Sequence, residues 1–253
     1  DINNDSWSDL LIGTVDSGLH IFANLEGKGF KRVNLNFELG DEVGIYSMAI
    51  SDIDRDGDLD VYLSTYRNYS IRNNPRIKFE TNFVNGKQEI IKITDNNQNK
   101  NYDKSRFYID EKGKIIESGI IDYMLINGMK DGFKLVKINE FLQGSKIQNN
   151  YYVNELNNWG LGCVFADLDF DGYDDLYVCN DLSGGDFLYI NKKGLFYTAN
   201  DRLNYKSPMY SMGVDVADIN NDGLMDIFVV DMLNNEFKNR KTQLDHFPDY
   251  KLI

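Results

Sequence analysis

Short apolar blocks rich in Val, Ile, Tyr and Phe recur along the chain, each closed by Gly, Asn or Asp. Three of them, "YSMAIS", "GLGCVFA" and "SMGVDVA", run directly into an acidic loop, and "DVYL", "DLYV" and "DIFV" lead out of one. Farther on comes a third block, "DYMLIN" (Asp122 to Asn127) or "DFLYIN" (Asp186 to Asn191). A Gly-containing stretch and a fourth block, "DGFKLV" or "GLFYTA", follow. Strand-sized runs of β-branched and aromatic residues between turn formers predict β-strands. No window keeps a helical apolar period over three turns. Each unit therefore reads as four short antiparallel strands.

The units repeat. The acidic loops "DINNDSWSD", "DIDRDGDLD", "DLDFDGYDD" and "DINNDGLMD" begin at residues 1, 52, 167 and 218, so successive starts lie 51, 115 and 51 residues apart. Four antiparallel strands per unit of about 50 residues is the pattern of a propeller blade. A solenoid of parallel strands would have shorter coils and lack the paired hairpin turns. The expected fold is all-β: a partial β-propeller of four-stranded antiparallel blades, about four blades' worth. The units fall at approximately 1–42, 43–150, 151–205 and 206–253. The long middle interval places an insertion at 67–121 within the second unit, taken as an excursion from one blade. In it "IKFETNFV" and "QEIIKIT" predict a hairpin across "NGK", and "DNNQNKNYDKS" an exposed tip. The chain opens on Asp1 inside a loop, which reads as a piece of a longer, processed protein.

The loops carry the chemistry. Counting from the first residue, side-chain oxygens fall at positions 1, 3, 5 and 9: Asp52, Asp54, Asp56 and Asp60; Asp167, Asp169, Asp171 and Asp175; Asp218, Asn220, Asp222 and Asp226. Gly57, Gly172 and Gly223 occupy position 6, where the turn is sharp, and position 7 (Asp58, Tyr173, Leu224) offers a main-chain carbonyl. Alternate oxygens converging on one point suit a large, hard cation that takes six to eight oxygens, which is Ca²⁺ chemistry. A helical calcium hand would need a Glu at position 12, but Leu63, Val178 or Val229 stands there inside a strand-like run. The bland alternative is an Asp- and Asn-rich turn without metal; three full matches at blade spacing favour the ion. A fourth site is expected at Asp1, Asn3, Asp5 and Asp9, although Ser6 replaces the glycine and no strand precedes it.

The charge balance agrees. The formal net charge is -13, and four calcium ions would bring it to -5. Such acidity argues against nucleic acid or an anionic membrane surface as a partner, and no apolar run is long enough to span a membrane. The two cysteines, Cys163 and Cys179, are too few for a disulfide scaffold. They flank their loop symmetrically and are expected to face one another across the hairpin as two buried thiols, a disulfide there being strained. His20 and His246 read as ordinary surface or packing residues, and Trp7, Trp159 and the Tyr and Phe excess as blade core. "SGGD" at Ser183 reads as a turn, and Asp174, the carboxylate left over in its loop, is expected to face solvent.

This constellation resembles the FG-GAP/VCBS repeat family, the calcium-loop β-propellers that include the integrin α-subunit head. The resemblance rests on the ligand sets above and the apolar block before each loop. It extends to bacterial VCBS-repeat proteins through runs such as "WGLGCVFADLDFDGYDDLYVCND". It implies structural calcium at blade edges and ligand binding by other loops on the propeller faces. The expected function is therefore an exported, calcium-binding module at the cell surface or outside it, serving adhesion or surface assembly. It would hold protein or glycan through loops or the 67–121 insertion. The alternative is a glycan-active enzyme such as a polysaccharide lyase on the same scaffold, but no GxSxG, P-loop, HExxH or Ser/His/Asp set occurs. Weak, multi-site calcium loops suit millimolar extracellular calcium.

Overall fold

The computed structural model describes residues 1–39, 43–67, 77–95, 104–109, 113–129, 131–142, 157–181, 185–203, 208 and 210–232. The fold is all-β and propeller-like, built of small antiparallel sheets. Strands β1 (Leu10–Gly13), β2 (Leu19–Asn24) and β3 (Phe30–Arg32) form the first sheet in sequential order. β4 (Val43–Ser51) and β5 (Asp60–Arg67) begin the second. The insertion then contributes β6 (Ile77–Val84), β7 (Lys87–Asp95), β8 (Phe107–Ile109), β9 (Ile115–Glu117) and β10 (Ile120–Ile121). β11 (Tyr123–Asn127) returns to pair with β5, and β12 (Phe133–Lys137) completes the four-stranded order β12-β11-β5-β4. A four-residue helix, α1 (Ile138–Phe141), follows, then β13 (Asn157–Asn158), which pairs with β10. The third sheet is β14 (Gly160–Ala166), β15 (Asp175–Asn180), β16 (Phe187–Lys192) and β17 (Leu195–Thr198). β18 (Ser211–Ala217) and β19 (Asp226–Asp231) form the last.

Side-chain alternation explains why the middle strands read as unbroken apolar runs. In β5, Val61 and Leu63 face the first sheet, packing with Ile2, Leu19 and Ile21. Tyr62 between them faces the third sheet, against Leu176, Val178 and Tyr189. In β15, Leu176 and Val178 look back to the second sheet, while Tyr177 and Cys179 pack with Val214, Ile227 and Val229 of the fourth. A strand in a sheet covered on both faces must be apolar at every position, and all six residues of β15 are buried.

The first strands of the later sheets lie side by side, β4 against β14 and β14 against β18. Each carries a one-residue bulge at the same place, Tyr46, Leu161 and Met212. Bulges sharpen the twist of a strand. The residue after the bulge is Gly162 in β14 and Gly213 in β18, and a Cβ on Gly162 would lie 3.1 Å from the Gly213 Cα. Close approach of the two strands is tight at Gly162, whereas a Cβ on Gly213 would make only an ordinary contact with Val230.

The insertion forms the expected hairpin. Asn85 and Gly86 join β6 to β7, both with positive φ (51° and 79°), as a tight two-residue turn requires. Ile93 and Phe107 seed a small core with Ile77, Phe79, Ile90 and Ile115. The expected tip at 95–105, the "SGGD" turn at Ser183 and His246 fall largely or wholly outside the described residues.

The cysteine register differs from the expectation. The ladder begins at Ala166↔Asp175, so Cys163 opposes Val178, and Cys179 opposes Gly162. One residue of slip puts side chains on opposite faces: Cys163 packs toward the second sheet and Cys179 toward the fourth. Both are free thiols. Burial pushes the Cys163 thiol up to about 12.

Candidate metal-binding loops

Four loops, residues 1–9, 52–60, 167–175 and 218–226, share one hydrogen-bond scaffold. The position-1 aspartate accepts the N–H groups of positions 5 and 6, one on each oxygen: Asp5 and Ser6 on Asp1, Asp56 and Gly57 on Asp52, Asp171 and Gly172 on Asp167, Asp222 and Gly223 on Asp218 (2.6–3.1 Å). The position-5 aspartate accepts the N–H of position 7, from Trp7, Asp58, Tyr173 or Leu224. The position-9 aspartate accepts the N–H of position 2, from Ile2, Ile53, Leu168 or Ile219. Ser6 adopts the left-handed conformation (φ 72°) that Gly57, Gly172 and Gly223 adopt at 85–95°. The first loop departs from the others in composition while keeping their shape.

This scaffold gathers negative charge. One carboxylate oxygen from each of Asp52, Asp54 and Asp56 lies within 4.8 Å of the others, and the same holds for Asp167, Asp169 and Asp175. With calcium–oxygen distances of 2.3–2.6 Å, oxygens on one ion stand up to about 5 Å apart, so both groups fit a calcium ion. Asp54 is held above its ordinary pKa, first by partial burial and then by the charges of Asp56 and Asp52. Burial pushes Asp60 up to about 7 and Asp175 up to about 6. In the first and last loops Asn3 and Asn220 stand at position 3 and donate to Asp5 and Asp222 (3.0 Å each), which relieves the crowding with one charge fewer.

The loops differ in the cations beside them. Lys192 Nζ lies 2.5 Å from Asp169 Oδ2 and from Asp171 Oδ2. That contact lowers the Asp171 pKa and raises that of Lys192. Arg55, at position 4 of the second loop, sits with its guanidinium 4.7 Å from the Tyr173 ring centre. Among the described residues no ion pair reaches the 52–60 loop. Position 4 is left-handed in all four loops (Asn4, Arg55, Phe170, Asn221; φ 57–65°). In two of them it touches the next loop, for Asn4 donates to the Gly57 carbonyl and to Asp58.

A second set of residues was missed by sequence reasoning. An asparagine stands at or next to the end of the third strand in each of the first three units, and Asn24, Asn127 and Asn191 donate their main-chain N–H to the position-9 aspartates Asp9, Asp60 and Asp175 (2.8 Å each). Asn127 Nδ2 donates to the Ile2 carbonyl and Asn191 Nδ2 to the Ile53 carbonyl (2.8 Å each), each at position 2 of the preceding loop. The repeated Asn at the end of "IFAN", "YMLIN" and "FLYIN" was the available signal. Asp174, expected in solvent, is half-buried, because its Oδ2 accepts from Ser51 Oγ (2.7 Å) on the neighbouring sheet.

Away from the loops, Asp122 and Asp186 stand immediately before the third strands, β11 and β16, in equivalent fashion. Asp122 accepts from the Tyr62 hydroxyl (2.6 Å), the Thr65 N–H (2.6 Å) and the Thr65 hydroxyl (3.0 Å). Asp186 accepts from the Tyr177 hydroxyl (2.7 Å), the Asn180 N–H (2.9 Å) and the Ser211 hydroxyl (2.8 Å). Burial pushes Asp122 up to about 7 and raises Asp186. Trp159 is buried beside Tyr66, ring centres 5.1 Å apart, whereas Trp7 is half-exposed.

A sequence model of the FG-GAP-like repeat matches residues 1–63 and 167–229. These two segments contain all four loops, two each, and start at loops one and three. No curated protein matches the chain. Among solved structures, one described as the basis of specific recognition of non-reducing terminal N-acetylglucosamine by an Agrocybe aegerita lectin is 15% identical, with a TM-score of 0.29. The match covers 90% of this chain and 58% of that one, so the chain spans little more than half of the lectin's length.

Proposed function

Because this chain is an FG-GAP-like repeat protein, we propose that it is an exported, calcium-stabilised propeller module that displays its loops to a protein or glycan partner. The observation that carries the reading is the common loop scaffold, which spends main-chain N–H groups on holding carboxylates together against their own repulsion. Like charges at such spacing are costly without a counter-ion. Asp52, Asp54 and Asp56, with Asp60 and the Asp58 carbonyl, would hold one ion; Asp167, Asp169, Asp171, Asp175 and the Tyr173 carbonyl a second. Asp218, Asn220, Asp222, Asp226 and the Leu224 carbonyl would hold a third, and Asp1, Asn3, Asp5 and Asp9 a fourth. Bound calcium neutralises the loop and ties the two strands that flank it, so its binding energy becomes folding energy.

Loops of this kind typically fill at millimolar calcium, which supports a location outside the cytosol. No helix among the described residues is long and apolar enough to cross a membrane. The test is thermal unfolding with calcium and with chelator. At calcium 100-fold above its Kd, one site adds about 2.7 kcal/mol, a rise of several degrees for a chain of this size. An unchanged transition refutes structural calcium.

A further inference from the structure

We propose that neighbouring calcium loops bind cooperatively, coupled through the asparagine at or next to the end of the third strand. The inference deepens the calcium reading above and rests on it. One hydrogen-bonded path joins three loops. Asp9 Oδ2 accepts from Ile2 N, and the Ile2 carbonyl accepts from Asn127 Nδ2. Asn127 N donates to Asp60 Oδ1, Asp60 Oδ2 accepts from Ile53 N, and the Ile53 carbonyl accepts from Asn191 Nδ2. Asn191 N donates to Asp175 Oδ1, which closes the path on the third loop.

The path is dry. Asn191 and Asp175 are 0% exposed, Ile53 1% and Asp60 2%. A polar group buried this deeply has no water to replace a lost partner. Ile53 lies between the position-1 and position-3 ligands, Asp52 and Asp54, so an ion that orders those two orients the Ile53 peptide. Its carbonyl then fixes the Asn191 side chain, and the main chain of the same residue places Asp175 for the next ion. The second ion meets a loop whose ordering has already been done, which is positive coupling without any large movement. Coupling of this kind is commonly 5-fold or more in affinity.

The test uses the whole chain with terbium as the calcium stand-in. Tyr173, at position 7 of the 167–175 loop, sensitises terbium bound there; Trp7→Phe removes the competing indole at the first loop. Asp54→Asn, an exposed ligand change at the second loop, should weaken terbium at the 167–175 loop about 5-fold. In an Asn191→Leu chain, shown folded by circular dichroism at saturating calcium, Asp54→Asn should have no such effect. An unchanged affinity after Asp54→Asn overturns the coupling while leaving calcium binding intact. A loss that persists in the Asn191→Leu chain overturns the asparagine route and assigns the coupling to the Arg55 contact. No terbium signal and no calcium heat in the parent chain overturn both readings. If Asn191→Leu does not fold, Arg55→Gln takes its place: an Asp54→Asn loss that vanishes in that chain overturns the asparagine route, and one that remains supports it.

Discussion

Replacing Asp122 by asparagine should make the chain more stable above neutral pH. The carboxyl is buried between the second and third sheets, and its three donors, Tyr62, Thr65 N–H and Thr65 hydroxyl, do not offset the loss of water, so it sits at about 7 instead of 3.8. That displacement corresponds to about 4 kcal/mol of preference for the protonated form. A carboxyl raised on folding stabilises the native state when protonated and costs stability as pH rises from about 4 to 7. Asparagine has nearly the same shape: its oxygen keeps the Thr65 N–H, and its amide donates to the Tyr62 hydroxyl, which rotates to accept. Urea unfolding of both chains in chelator, from pH 5 to pH 8, isolates Asp122 because Asp60, Asp175 and Asp186 titrate in both. Between those limits the Asp122→Asn chain should gain about 2–3 kcal/mol relative to the parent. Parallel stability curves would refute the reasoning.

Two further changes probe the loops. Lys192→Gln removes the ammonium that now holds Asp169 and Asp171 together. Calcium should then bind the 167–175 loop roughly 5-fold tighter by calorimetry, the scale of an exposed ion pair, while the calcium-free protein melts lower. Ser6→Gly relieves a left-handed serine (φ 72°) and should stabilise the chain by about 1 kcal/mol in chemical denaturation. A neutral result would show that the Ser6 conformation carries no strain.

Much of the site was legible because its parts are sequence neighbours. Asp52, Asp54, Asp56 and Gly57 span six residues, and the alternate spacing and glycine state the loop's geometry outright. Residues whose roles depend on a distant partner were not legible. Asn191 and Ile53 are 138 residues apart, Asn127 and Ile2 125, and nothing local to "FLYIN" marks its last residue as a link between blades. Lys192 follows Asn191 directly, yet only the return of β16 past the loop brings its ammonium to Asp169, 23 residues away. Asp174 reads as surplus charge until Ser51 arrives from another sheet. The cysteine pairing failed by one residue, because a loop's symmetry does not reveal where its ladder starts.

Strand identity, the repeat, the insertion hairpin and the four acidic loops follow from patterns within a few residues, since strand and turn preferences and alternating ligands are local physics. How blades face one another, which aspartates are shared between loop and strand, and which loop keeps a resident ammonium are decided by packing. Burying both faces of β5 and β15 brings peptide groups from different blades together without water, and buried N–H and C=O groups must then find one another. That requirement joins the loops, and no single repeat contains it.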